Sequence, residues 1–528
     1  MFVNRKNLFF LFLFFGLTWS VGAQSSIDTV FLNKYLGYSI SKPYIQYSKN
    51  TIEWYQKEAI YPFFEKLKNS SNKKVKILHI GDSHIQPEKG TGVTRNKLQE
   101  VFGYGGRGFV FPYQLAGTAS AYDYKAVGSG KWQSSKNVEF KPKLNLGLSG
   151  ITVFTQDSTA GFKIIFDKSH ASIHPNFRKI KIYCLKNKES FNLKVSTKSR
   201  GNQIHLNCSR EDGLPYVEFE IPGVTDTLVV TVHKTHANQI YFECYGLEIE
   251  SIEDKGVEYI SVGIAGAAYQ SIFHQNKMKE QLQSIQPDLV IFDLGVNNFY
   301  KGDFDYEYVM GCLNQMIEFV RANCPNACFL LPNSQDIYFK SKNVVNCKEY
   351  SILTRLVAKE QKVALYDYFE ISGGIHAMLN WSKDGLSNKD QCHLSTTGYK
   401  FKGELFFNGI MNGYLKYLES SPASYVNYSI DSDTMNRRKW VVNKSIGKNC
   451  GVIAEGDKID NYKNTTNPVS PSITTNNTTN TSEFIVVKAG ESLSILSKRH
   501  SISIQDLKSI NGLKSDNITV GQKLKIKR

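Results

Sequence analysis

Hydrophobic patterning changes character along the chain. In KKVKILHI, residues 73–80, lysines alternate with aliphatic residues and the run ends in an apolar stretch at Gly81. EYISVGI, DLVIFDLG, CFLLP and VALYD, all within 256–420, are further short apolar runs. Such runs predict strands buried on both faces. Helical stretches around Gln270–Gln283, Tyr306–Arg321 and Asn343–Glu360 separate them, and strands alternating with helices predict a parallel sheet with helices on both faces. Residues 114–255 differ. LGLSGITVFTQ, GFKIIFD, KIKIYCL, FNLKVST, YVEFEI and TLVVTVH are broken by Gly, Pro and Asn signals, which predicts an antiparallel β-sandwich. The simplest arrangement joins 24–113 and 256–420 into one discontinuous α/β domain, with 114–255 inserted at a loop, where insertions cost little.

Both ends stand apart. Arg5 and Lys6, the apolar run Leu8–Trp19 and the small residues Val21-Gly22-Ala23 read as a cleaved signal peptide over 1–23. The run is shorter than the ~20 residues of a spanning helix. No later stretch is long and apolar enough to span, so the mature chain is expected to start at Gln24 and to be exported to the periplasm or surface of a bacterium. Residues 421–483 form a tail and linker. Its core, NYKNTTNPVSPSITTNNTTNTS at 461–482, lacks the apolar surface to fold and predicts an extended tether. A small module, 484–528, closes the chain.

A length of 528 residues bounds the chain at two to four domains, and 41% hydrophobic residues are enough for a substantial core. The net charge of +16 raises nucleic acid as a partner, but the lysines are spread and no nucleic-acid module is present. A basic surface facing an anionic envelope polymer or membrane fits better. The 9 Cys include no CxxC pair and no zinc-type spacing, and their pairing is not encoded. Gly103–Gly108 is glycine-rich but lacks the strand-then-helix setting and Lys-Ser/Thr ending of a phosphate loop.

The candidate chemistry centres on Ser83, in the GDSHIQ turn at 81–86. A serine hydroxyl needs a base to take its proton and donors to stabilise the oxyanion. In an open α/β sheet these partners belong at the C-terminal ends of strands. EYISVGI ends in Ala265-Gly266-Ala267, DLVIFDLG ends in Gly295-Val296-Asn297-Asn298, and Asp390-Gln391-Cys392-His393 comes late in the domain. Taken singly, each has a plainer reading: Ser83 as a turn residue, Gly266 as a packing glycine, Asn297 as a helix cap, His393 as a structural histidine.

Together, Gly81-Asp82-Ser83, Gly266, Gly295–Asn297 and Asp390-x-x-His393 resemble, in order, the four motif blocks of the SGNH, or GDSL-type, hydrolase superfamily. Ser83-His84 and FGYGGRGF at 102–109 resemble its branch of peptidoglycan and polysaccharide O-acetylesterases with an inserted carbohydrate-binding-like sandwich. The resemblance implies a flavodoxin-like three-layer α/β domain and a carbohydrate O-acetylesterase. By matched position Ser83 is the nucleophile, His393 the base and then acid, and Asp390 its orienter. Ser83, Gly266 and Asn297 form the oxyanion hole, and no metal or cofactor is required. Asn298 departs from the family, where many members have Asp or Glu. Asp384 lies upstream of His393 at the wrong spacing. His84 is open to a substrate-binding role or a packing role.

Residues 484–528 resemble a LysM domain over their whole length, with a βααβ order. Leu493, Leu496, Ile504, Leu507 and Ile510 suit a small core, and Ser492 suits a helix cap. The resemblance implies binding of N-acetylglucosamine-containing glycans such as peptidoglycan. The implied contacts are Gly490, Glu491, Ser492 and Leu493 on one loop and Asn511, Gly512, Leu513 and Ile518 on the other. The reading is an exported esterase that removes O-acetyl groups from peptidoglycan. An O-acetyltransferase, an esterase for another polysaccharide and a non-catalytic wall binder are its alternatives.

Overall fold

In the computed structural model the described residues are 32–167, 177–197, 200–221, 226–420, 456–458 and, toward the C-terminus, 484–487, 492–500, 502–513, 515–519 and 521–526. The signal-peptide reading and the 461–482 tether lie outside them. The chain divides into two units, 1–463 and 464–528.

The Val75–Gly81 strand is central in the first unit. Six of its seven residues are buried, as a strand covered on both faces requires. It pairs in parallel with Val257–Gly263 on one side and Leu289–Asp293 on the other. Cys328–Pro332 and then Ala364–Tyr366 extend the sheet beyond Leu289–Asp293. Leaving aside Tyr104–Val110, the parallel strands follow the spatial order second, first, third, fourth, fifth of a flavodoxin-like sheet. Helices 89–102, 306–323, 346–361 and 396–419 flank it. Two of them start where the sequence supplies an N-cap: Asp305 accepts the Tyr308 N–H and Ser395 accepts the Gly398 N–H, each at 3.1 Å. Cys312 is disulfide-bonded, whereas Cys184, Cys208, Cys244, Cys324, Cys328, Cys347 and Cys392 are free thiols.

The β-rich segment supplies two sheets, and one of them is continuous with the parallel sheet. Strands 124–129, 161–166, 227–233, 192–197 and 200–206 make a separate five-stranded sheet. Phe242–Ser251, buried at all ten positions, pairs with Tyr104–Val110, which in turn lies beside Val257–Gly263. Phe177–Cys184 and Tyr216–Glu220 extend this edge. The shared edge was not legible in the sequence, because alternation reports which face of a strand is buried and not which strand lies next to it.

In the second unit, strands Phe484–Val486 and Lys523–Lys525 pair antiparallel around helices Leu493–His500 and Ile504–Asn511. Val487, Leu493, Leu496, Leu507 and Leu524 form its core.

Candidate active site

Strand register builds the site. Gly81, Gly263 and Asp293 align across the three central strands. Ser83 follows Gly81 by two residues, Gly266 follows Gly263 by three and Asn297 follows Asp293 by four, so three loops converge at one sheet edge. The turn after Gly81 is tight: the Ile85 and Gln86 N–H groups both donate to the Asp82 carbonyl. Gly81 permits it, because a Cβ there would stand 2.1 Å from Ile85 Cγ1 and 2.9 Å from the Asp293 carbonyl oxygen.

Ser83 Oγ lies 2.8 Å from His393 Nε2, and His393 Nδ1 lies 2.7 Å from Asp390 Oδ2. The other Asp390 oxygen accepts the backbone N–H groups of Cys392 and His393. Burial works against ionisation of Asp390, but these bonds from His393 and Cys392 outweigh it and hold the carboxyl below its ordinary value. The loop is fastened on both sides. Gln335 Nε2 donates to the Cys392 carbonyl, Tyr338 N–H to Gln391, and Asn388 N–H to the carbonyl of His393.

Among the described residues, neither the Ser83 nor the Gly266 backbone N–H donates to a protein acceptor. Gly266 has φ +86°, a conformation that favours glycine. The Asn297 amide is tied down: Nδ2 donates to the Ala267 carbonyl at 2.9 Å and to Asp82 Oδ2 at 3.2 Å. Its neighbour Asn298 accepts the Tyr269 N–H and donates to Gln270, bracing the Gly266 loop.

Three further side chains, to which the resemblance assigns no role, support the site. Buried Asp82 also accepts the His84 N–H at 2.9 Å. Burial is the main force that pushes its carboxyl up to about 7. Buried Gln86 accepts the Ala265 N–H at 2.7 Å and donates to Thr118 and Ala119, clamping the serine turn to the Gly266 loop and to the inserted segment. Tyr399 hydrogen-bonds His84 Nδ1 at 2.9 Å. A buried Asp and Gln at fixed offsets from Ser83 were the available signal, but nothing in the sequence names their partners.

His84 is buried and stacks on His393, with ring centroids 4.9 Å apart and planes 23° from parallel. Burial first, then the nearby charges of Lys402 and His393, hold it well below the usual histidine pKa, so it is neutral. Below it a cavity of about 20 Å³ is lined by His79, Asp293, Tyr399 and Lys402 among others. Asp384 faces elsewhere: it accepts the Tyr44 hydroxyl and pairs with Lys42.

Among the described residues, two groups have the spacing of a metal site. His84, Cys392 and His393 are one, but His393 Nε2 is engaged by Ser83 and burial pushes the Cys392 thiol up to about 12. Glu248, Glu250 and Glu258 are the other, with Lys74, Lys76 and Lys181 paired against them.

In the second unit, Leu493 is a core residue, 2% exposed. Asn511 clips the fold, donating to the carbonyls of Leu507 and Lys525 and accepting the Lys525 N–H. Both hydrogens of its amide are thereby engaged within the fold. Gly512 is the left-handed cap of the second helix, and Leu513 and Ile518 pack against the core. Ser492 is exposed and accepts the Ile495 N–H at 3.4 Å. Gly490 and Glu491 lie outside the described residues.

No curated protein sequence matches the chain. A solved peptidoglycan O-acetylesterase aligns over 70% of this chain and 99% of its own, with TM-score 0.57 and 21% identity, a likeness of fold. A family two carbohydrate esterase from Cellvibrio japonicus aligns over 56% of this chain and 99% of its own, at 11% identity and TM-score 0.24. A GDSL-like lipase from Bacteroides thetaiotaomicron aligns over 28% and 72%, at 19% identity and TM-score 0.23. Residues 250–401 match the GDSL-like lipase/acylhydrolase family, a span that starts beyond Ser83, and residues 485–527 match the LysM domain. The chain carries a GDSL-like lipase/acylhydrolase domain and, at its C-terminal end, a LysM domain.

Proposed function

We propose that the protein is an exported, cell-wall-associated esterase that removes O-acetyl groups from peptidoglycan. One observation carries the chemistry: the Ser83–His393–Asp390 relay lies at a sheet edge beside two unengaged backbone N–H groups. Ser83 Oγ attacks the acetyl carbonyl while His393 Nε2 takes its proton. The N–H groups of Ser83 and Gly266 receive the oxyanion. Asn297 joins them by sharing the hydrogen of its longer bond to Asp82. The tetrahedral intermediate collapses, the C–O bond to the sugar breaks, and His393 returns the proton to the leaving alcohol. Water then attacks acetyl-Ser83 with His393 as base, and acetate departs. Asp390 keeps the Nδ1–H tautomer and stabilises the imidazolium.

The choice of polymer is supported by the likeness to a peptidoglycan O-acetylesterase and by the LysM domain. A glycan-binding module on the same chain raises the local concentration of wall substrate. Among the described residues no helix is long and apolar enough to cross a membrane.

The test is acetate release from purified O-acetylated peptidoglycan by wild type and Ser83→Ala in parallel. Release by wild type and its loss by at least about 10³-fold in the variant are expected, since a triad member is missing. Equal release by both sinks the serine mechanism. No release by either, with LysM binding intact, sinks the choice of substrate.

A further inference from the structure

Resting on that reading, we propose that Val138 and Phe140 form an apolar platform for the C–H face of the sugar next to the acetylated one. They sit on the loop joining strands Gln133–Lys136 and Ile151–Thr155 of the β-rich segment. Val138 borders the oxyanion side of the site. A Cβ built on Gly266 would meet only Val138 Cγ1 within 4 Å, at 3.9 Å. Phe140, two residues on, is 73% exposed, the most exposed large apolar side chain among the described residues, and Val138 is 39% exposed. A single exposed apolar residue is ordinary on a protein surface. Two of them on one braced loop, the first beside an unengaged oxyanion donor, are a built feature.

The bracing is specific. Buried Asn137 donates its N–H to the Gly150 carbonyl at 2.8 Å and its Nδ2 to Gln275 Oε1 at 3.0 Å. His274 Nδ1 lies 2.7 Å from the Asn137 carbonyl oxygen. Glu139 turns back, with its N–H on the Lys136 carbonyl and its carboxylate on the Lys136 N–H. Ser135 Oγ accepts the Lys143 N–H from the far side of the loop. His274 and Gln275 end the short helix that follows the Gly266 loop, so platform and oxyanion donor are fixed to one segment. Glu139 is drawn away by this turn, leaving Val138 and Phe140 as the presented pair.

The chemistry fits a polymer. An acetyl group alone needs no wider surface than Ser83 and its donors offer. A pyranose offers a face of C–H bonds ringed by hydroxyls, which suits a flat aromatic ring with polar neighbours. The Lys141 ammonium stands 5.6 Å from the Phe140 ring centroid and occupies one face, leaving the other for the sugar.

The experiment uses the full chain as wild type, Val138→Ser, Phe140→Ser and Phe140→Trp. Each is assayed for p-nitrophenyl acetate hydrolysis and for acetate release from O-acetylated peptidoglycan. For Phe140→Ser the ratio of kcat/KM on polymer to kcat/KM on the small ester should fall about tenfold, within what an aromatic contact supplies. The loss should lie in KM, and Phe140→Trp should restore it. An unchanged ratio in both serine variants overturns the platform and leaves the esterase reading intact. An unchanged ratio with an altered oligomeric state by light scattering also overturns it, and assigns the patch to a second copy of the chain. Small-ester hydrolysis by wild type without acetate release from the wall overturns the wall reading and the platform's occupant with it.

Discussion

Asp82→Asn should make the protein more stable at alkaline pH and slower at the same time. Asp82 is 1% exposed, its carboxylate oxygens facing the His84 N–H and the Asn297 amide. Burial first, and the charge of Asp293 after it, raise its carboxyl from 3.8 to about 7, against the pull of the His84 N–H, Lys402 and His393. A folded-state value above the unfolded one contributes stability that is complete below about pH 4 and lost as pH rises through 7. A gap of about three pH units at 1.36 kcal/mol each gives ~4 kcal/mol lost between pH 4 and pH 8. Asparagine has no charge to bury and escapes that loss. It also leaves one of the two donors poorly matched, a pH-independent cost of ~1–3 kcal/mol. The stability difference should therefore move by ~4 kcal/mol in favour of the variant from pH 4 to pH 8. Urea unfolding followed by tryptophan fluorescence measures it, because Trp54, Trp132 and Trp381 lie in the first unit and the 464–528 sequence contains no tryptophan. Acetate release should fall by up to about 10²-fold as the Asn297 amide loses its carboxylate anchor. A difference that stays constant across pH would refute the reasoning, since the charge would then not be what the fold is holding.

Asp390→Asn should lower kcat by about 10⁴ through loss of the Nδ1–H tautomer. Because the Asp390 carboxyl sits below its ordinary value and is ionised throughout, the factor should be the same at pH 6 and pH 8 in acetate-release assays. In the second unit, Asn511→Ala should cost ~1–3 kcal/mol by stranding the Leu507 and Lys525 carbonyls. Calorimetry should register this as a lower LysM transition, while the variant still binds peptidoglycan below that temperature.

The four motif blocks were legible because each sits a fixed number of residues past a strand end. Parallel strands in register carry that count directly into space, as Gly81, Gly263 and Asp293 do. Ser83 and His393 are 310 residues apart in sequence, and only the resemblance joined them. What remained hidden were partners set by packing. The Asp82–Asn297 bond joins two residues that composition marks only as polar. Sequence leaves His84 open to a binding or a packing role, whereas in the fold its ring stacks on His393. Asn511 lies in a loop where the LysM resemblance implies glycan contacts. Its three bonds to Leu507 and Lys525 are set by where the last strand returns, which no local pattern specifies.

The shared sheet edge also bears on how chemistry and specificity divide between segments. Tyr104–Val110 and Phe242–Ser251 join the sheet on the side of Val257–Gly263, the strand whose end carries Gly266. The β-rich segment therefore reaches the site from the oxyanion side. The His393 loop is braced from the opposite side, by Gln335 and Tyr338 beyond the Cys328–Pro332 strand. Changes in the 137–143 loop can thus alter what lies beside the acetyl group without disturbing the hydrogen bonds of Ser83, His393 and Asp390. The reverse is not true of Gln86. It holds the serine turn to Ala265 on one side and to Thr118 and Ala119 on the other, so shifting the start of the β-rich segment would move the nucleophile. Polymer choice is free to vary at the tip of the segment, while its root is tied to the chemistry.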